Sequence, residues 1–124
     1  RYGASKAANI LFAAELSRRY PSITSVSVHP GIIHTDLYNA MSQQSVFAAM
    51  GSKVMGFFGS SVPVGAYNQL WAAAGAKKGD LVNGAYYVPV GNLKPHNKYT
   101  RSIEMGKRLW DWTEAELRKF GALQ

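Results

Sequence analysis

Tyr2 and Lys6 stand four residues apart, so on a helix they share one face and their side chains reach each other. A free tyrosine hydroxyl ionises near pH 10, too high for easy proton exchange at neutrality. A neighbouring ammonium favours the phenolate, and each pKa unit moved is worth about 1.4 kcal/mol. The pair is therefore suited to passing a proton to or from a substrate oxygen, with Lys6 tuning Tyr2. The spacing alone is common on solvated helix faces, so the elements around it have to decide.

Residues 3–19 read as that helix. Ala4, Ala7, Ala8, Leu11, Phe12 and Leu16 recur at helical spacing, and Pro21 marks the end. Ile23-Thr24-Ser25-Val26-Ser27-Val28 is β-branched and bounded by Pro30-Gly31, which predicts a short strand. Residues 36–61 read as irregular, with a short helix over 43–55. From Ser61 a helix is expected to about Ala76, with Pro63 in its first turn, burying Val64, Tyr67, Leu70, Trp71 and Ala74. Gly84 to Val90 reads as a second strand, placed at a sheet edge by Pro89. Residues 92–101 read as polar loop and 102–112 as a helix. Thr113-Glu114-Ala115-Glu116 has capping-box spacing for a last short helix. Strand, helix and strand in this order imply a parallel pair joined by a right-handed crossover. Two such strands cannot cover both faces and edges of a stable parallel sheet, so half a fold is expected to be missing.

Composition bounds the alternatives. The chain has 124 residues, net charge +7, 47% hydrophobic residues and no Cys. That is one domain at most, too apolar to be disordered. Without Cys there is no disulfide scaffold, no thiol nucleophile and no Cys-ligated zinc. His29, His34 and His96 lack metal-ligand spacing and read as loop or strand-end residues, so no metal is expected. The basic residues are spread from Arg1 to Lys119 in short pairs, without the clustered face that nucleic acid requires. Neither a signal-peptide pattern nor an apolar run of about 18 residues is present, which points to the cytoplasm or another intracellular compartment.

Tyr2-Gly3-Ala4-Ser5-Lys6-Ala7-Ala8 opening a helix, followed by a strand ending His29-Pro30-Gly31 and then Thr35, resembles the short-chain dehydrogenase/reductase family. Asn9-Ile10-Leu11-Phe12 and Leu109-Trp110-Asp111-Trp112-Thr113-Glu114 are similar to its retinol-dehydrogenase-like branch. The resemblance covers essentially the whole chain and implies the C-terminal portion of a doubly wound, Rossmann-type parallel sheet, its N-terminal half absent. It makes residues 1–124 the C-terminal fragment of a single NAD(P)-binding domain. It implies an oxidoreductase moving a hydride between NADP or NAD and a small apolar carbonyl or alcohol, with Tyr2 as acid/base. Lys6 would lower the Tyr2 pKa and hold the nicotinamide ribose, while Pro30, Gly31, Ile33 and Thr35 would lie against the cofactor. The family's catalytic Ser and its glycine-rich loop both lie upstream of that tyrosine. No G-x-G-x-x-G, P-loop or G-x-S-x-G pattern occurs in this chain.

Two other classes fit part of the pattern. One is a catalytically inactive truncated fragment acting as an interaction module, whose sign would be a large exposed apolar patch. The other is a membrane-surface module using Val46-Phe47, Val54-Met55 and Phe57-Phe58 together with the basic excess.

Overall fold

The computed structural model describes residues 1–33 and 61–122. Helix α1 spans Tyr2–Arg19 and strand β1 Ser27–Val28. Two short helices follow, α2 (Val62–Gly65) and α3 (Tyr67–Leu70), continued by a π-helical turn, Trp71–Gly75. After a 3₁₀ turn at Lys78–Asp80 come β2 (Tyr86–Val88), β3 (Asn92–Lys94) and the long helix α4 (Ile103–Lys119). The fold is α/β, with a mixed three-stranded sheet in the order β1-β2-β3.

The crossover pair forms as expected. β1 and β2 run parallel, with Ser27 opposite Tyr86 and Val28 opposite Tyr87. Hydrogen bonds continue the pairing on both sides, from Gly84 N–H to the Ser25 carbonyl (2.7 Å) and from His29 N–H to the Tyr87 carbonyl (2.8 Å). Asn83 extends β1 towards Ile23: its Oδ1 accepts from Ser25 N–H (2.7 Å) and its Nδ2 donates to the Ile23 carbonyl (3.0 Å).

Four expectations are corrected. β2 is the central strand and not an edge, and Asn92–Lys94, expected as polar loop, form β3, which pairs with it antiparallel, Val88 opposite Asn92. Pro89 lies just beyond β2 in the hairpin, where its missing N–H costs the ladder nothing. The Pro89-Val90-Gly91 connection closes with Gly91 at φ +70°, a left-handed position glycine adopts freely. The helix after Ser61 is broken and turned over. It buries Gly65 and Asn68, while Val64, Tyr67 and Leu70 stand 42%, 53% and 60% exposed. Finally, no cap interrupts α4 at Thr113, whose hydroxyl donates back to the Leu109 carbonyl (2.8 Å) inside the helix. The cap is Ser102, which accepts from Met105 N–H at 3.2 Å.

α1 packs against α4. Leu11 and Trp110 are buried there, and Phe12 stacks on Trp110 with ring centres 5.1 Å apart. Trp110 is thus a packing residue, while Trp112 is 62% exposed. Ala85 and Tyr87 fill the sheet side of the core. Among the described residues no helix is long and apolar enough to cross a membrane.

Candidate active site

The direction of α1 against the sheet places the site. A Cβ on Gly84, at the start of the β2 segment, would meet Ser17 Oγ at 2.6 Å and Ala14 Cα at 3.6 Å. The C-terminal half of α1 therefore lies at the N-terminal end of the strands, and its N-terminus points to their C-terminal end. Tyr2 is twelve residues before Ala14, about 18 Å at a helical rise of 1.5 Å per residue. Five extended residues carry the chain from Gly84 to Pro89, about 17 Å. Pro89 in turn touches the β1 end, its Cγ 3.2 Å from where a Gly31 Cβ would be. By these lengths α1 carries Tyr2 and Lys6 towards the end at which the Pro30-Gly31 turn leaves β1, the end at which open α/β sheets bind ligands.

At that end Lys6 Nζ sits 5.3 Å from the centre of the Tyr2 ring, and Tyr2 is 69% exposed. Neither the Tyr2 hydroxyl nor the Lys6 ammonium has a hydrogen-bond partner among the described residues. Ser5, inside the same block, is occupied otherwise: its hydroxyl donates to the Tyr2 carbonyl at 2.7 Å. The turn is shaped by its own residues. Gly31 N–H donates to His29 Nδ1 (2.8 Å), and Gly31 takes φ +92°, which a side chain would oppose. Ile33 is half-buried on α2, where Gly65 leaves room for it: a Cβ there would meet Ile33 Cδ1 at 2.5 Å. Thr35, the expected helix over 43–55 and the apolar residues of 46–58 lie outside the described residues.

One residue with no motif around it holds this end together. Asn68 is 1% exposed; its Nδ2 donates to the His29 carbonyl (2.8 Å) and the Tyr87 carbonyl (3.2 Å), and its Oδ1 accepts from Gly91 N–H (3.0 Å). The available signal is the adjacent amide pair Asn68-Gln69 in the otherwise largely apolar run from Val64 to Ala76, since a polar group that is buried must find partners.

The donor set fits one end of a nicotinamide cofactor. An ammonium and a phenol on one helix face, without partners among the described residues, suit ribose hydroxyls and a substrate oxygen. A groove of about 560 Å³ between α1 and the segment from Asn97 to Leu109 is elsewhere. Its α1 residues, Gly3, Ala4, Ala7, Ala8 and Leu11, turn away from Tyr2 and Lys6 at about 100° per residue.

Comparison with known proteins gives consistent relatives. A short-chain dehydrogenase/reductase of Armillaria gallica is 37% identical over 96% of this chain and 37% of its own length. Another, of Macrophomina phaseolina, is 34% identical over 99% of this chain and 62% of its own. A Streptomyces protein (strain C5) named as a candidate daunorubicin C-13 ketoreductase is 32% identical over 92% of this chain and 37% of its own. The chain thus spans about 37% of the length of the Armillaria relative. These names do not resolve a retinol-dehydrogenase-like branch. No family model and no solved structure matches the chain.

Proposed function

Since this chain belongs to the short-chain dehydrogenase/reductase family, we propose that it forms the proton-handling, nicotinamide-facing part of an oxidoreductase acting on a carbonyl or alcohol carbon. On this reading residues 1–124 are the C-terminal portion of one doubly wound NAD(P)-binding domain, and the intact protein carries the phosphate-binding portion elsewhere. The bound cofactor, NADP or NAD, supplies or accepts the hydride. Tyr2 donates its phenolic proton to the carbonyl oxygen as negative charge develops there, and takes it back when an alcohol is oxidised. Lys6 holds ribose hydroxyls and keeps a positive charge beside the ring. Pro30, Gly31 and the backbone near Ile33 form the wall beside the nicotinamide, with the Thr35 hydroxyl a further contact.

The observation that supports this reading is Lys6 Nζ lying 5.3 Å from the centre of the Tyr2 ring, both without other partners among the described residues. The Streptomyces relative's name favours a ketone among carbonyl substrates. Nothing observed favours the non-catalytic interaction or membrane-surface readings.

The test uses the intact protein with NADPH or NADH and a set of aryl ketones and aliphatic aldehydes. Tyr2→Phe should lower turnover by about 10²–10⁴-fold, the range of a general acid/base, and leave cofactor affinity nearly unchanged. Lys6→Met should damage both. Near-full activity of Tyr2→Phe would overturn the assignment.

A further inference from the structure

We propose that Asn68 is a positioning residue for the nicotinamide-facing turn, an inference that rests on reading the Tyr2 end of the sheet as the cofactor site. The His29 carbonyl is the last β1 group before Pro30, and Pro30 has no N–H with which to continue the ladder. The direction of the chain leaving β1 therefore depends on what fixes that carbonyl. Asn68 fixes it, at 2.8 Å. The same side chain donates to the Tyr87 carbonyl across the sheet and accepts from Gly91 N–H in the hairpin, so both strand ends and the hairpin are tied to one amide. Gly65, one helical turn before Asn68, seats Ile33 at the other end of the same turn. The α2–α3 segment thus grips residues 29–33 at both ends.

An apolar side chain of similar size would still seat the helix. It would leave the His29 carbonyl and the Gly91 N–H without the partner Asn68 gives them, leave the Tyr87 carbonyl with His29 N–H alone, and would not set their directions. Geometry at a reacting centre is sensitive to small displacements, so the effect should appear in cofactor binding as well as in stability.

The experiment measures NADPH and NADH affinity of the intact protein by nicotinamide fluorescence, together with amide hydrogen exchange at Gly31 and Gly91. Asn68→Asp keeps the acceptor for Gly91 but turns an oxygen towards both carbonyls. Asn68→Ser keeps one donor. Trp110→Leu, in the α1–α4 packing, is the control for lost stability, and all variants are compared at a temperature where each is folded. Asn68→Asp should weaken cofactor binding about tenfold or more, with faster exchange at Gly31 and Gly91 and Asn68→Ser between it and the unaltered protein. Trp110→Leu should bind as the unaltered protein does. Asn68 variants that bind as tightly as that control overturn the proposal while leaving the oxidoreductase reading intact. If the unaltered protein binds neither cofactor, the oxidoreductase reading fails and this inference with it. Should Asn68→Asp not fold, Asn68→Ser decides by the same criterion.

Discussion

Glu15 shows how a charge is kept inside so small a core. Its side chain is 2% exposed and accepts from Arg18 Nε (2.9 Å), Arg18 Nη2 (2.6 Å) and Arg19 Nε (2.6 Å). The Arg18 hydrogen bonds hold its carboxyl below the ordinary range; burial opposes them, and Arg19 adds to the lowering. A carboxyl lowered in the folded state contributes stability above its unfolded value, near 4.5, and loses it as pH falls through the lower native value. The melting temperature should therefore hold through neutrality and fall at acid pH below about 4.5. Glu15→Gln should flatten that acid limb and cost about 5 °C at pH 7, as scanning calorimetry across pH would show. An unchanged acid limb would mean that another group carries it. Tyr2 with Lys6 was legible at this scale because helical spacing is a local pattern. Asn68 was not, because its partners His29 and Tyr87 are 39 and 19 residues away and leave no period in the chain.

At the scale of elements, the strand–helix–strand order and the helix α1 could be read from apolar periodicity, while the helix after Ser61 was read on the wrong face. Periodicity assumes that the apolar side meets the core. Here close approach to Ile33 requires Gly65, and the strand ends require an amide, so those two small or polar positions turn inward. β3 was missed because Asn92, Leu93 and Lys94 are all exposed and show no alternation. The hairpin that creates β3 rests on Gly91, where an added Cβ would meet the Trp71 ring at 2.8 Å in a left-handed conformation. Trp71 cannot retreat freely, since its ring packs on buried Tyr87 at 5.1 Å. Left-handed strain of about 1–2 kcal/mol and overpacking of about 1–3 kcal/mol act together, so Gly91→Ala should lose about 2–5 kcal/mol in urea unfolding. Gly79→Ala is the control: an added Cβ meets nothing within 4 Å, and the change should stay within about 0.5 kcal/mol.

For the whole molecule, what matters is which part of a dinucleotide these residues can hold. On the proposed reading, Tyr2, Lys6 and the Pro30-Gly31 turn would address a ribose and a nicotinamide. A pyrophosphate in a doubly wound fold sits on backbone N–H groups at a helix N-terminus, with glycines letting the chain approach closely. No glycine-rich turn of that kind occurs in residues 1–124. Association costs roughly 4–15 kcal/mol in lost translational and rotational freedom. A few hydrogen bonds from exposed side chains, each worth about 0.5–1.5 kcal/mol net, do not offset it. Residues 1–124 expressed alone should therefore bind NADH and NADPH negligibly, while the intact protein binds one of them. Titration of both proteins followed by nicotinamide fluorescence measures this directly. Micromolar affinity in residues 1–124 would show that the phosphates are held by groups of this chain, and the division of labour proposed for the fold would have to be redrawn.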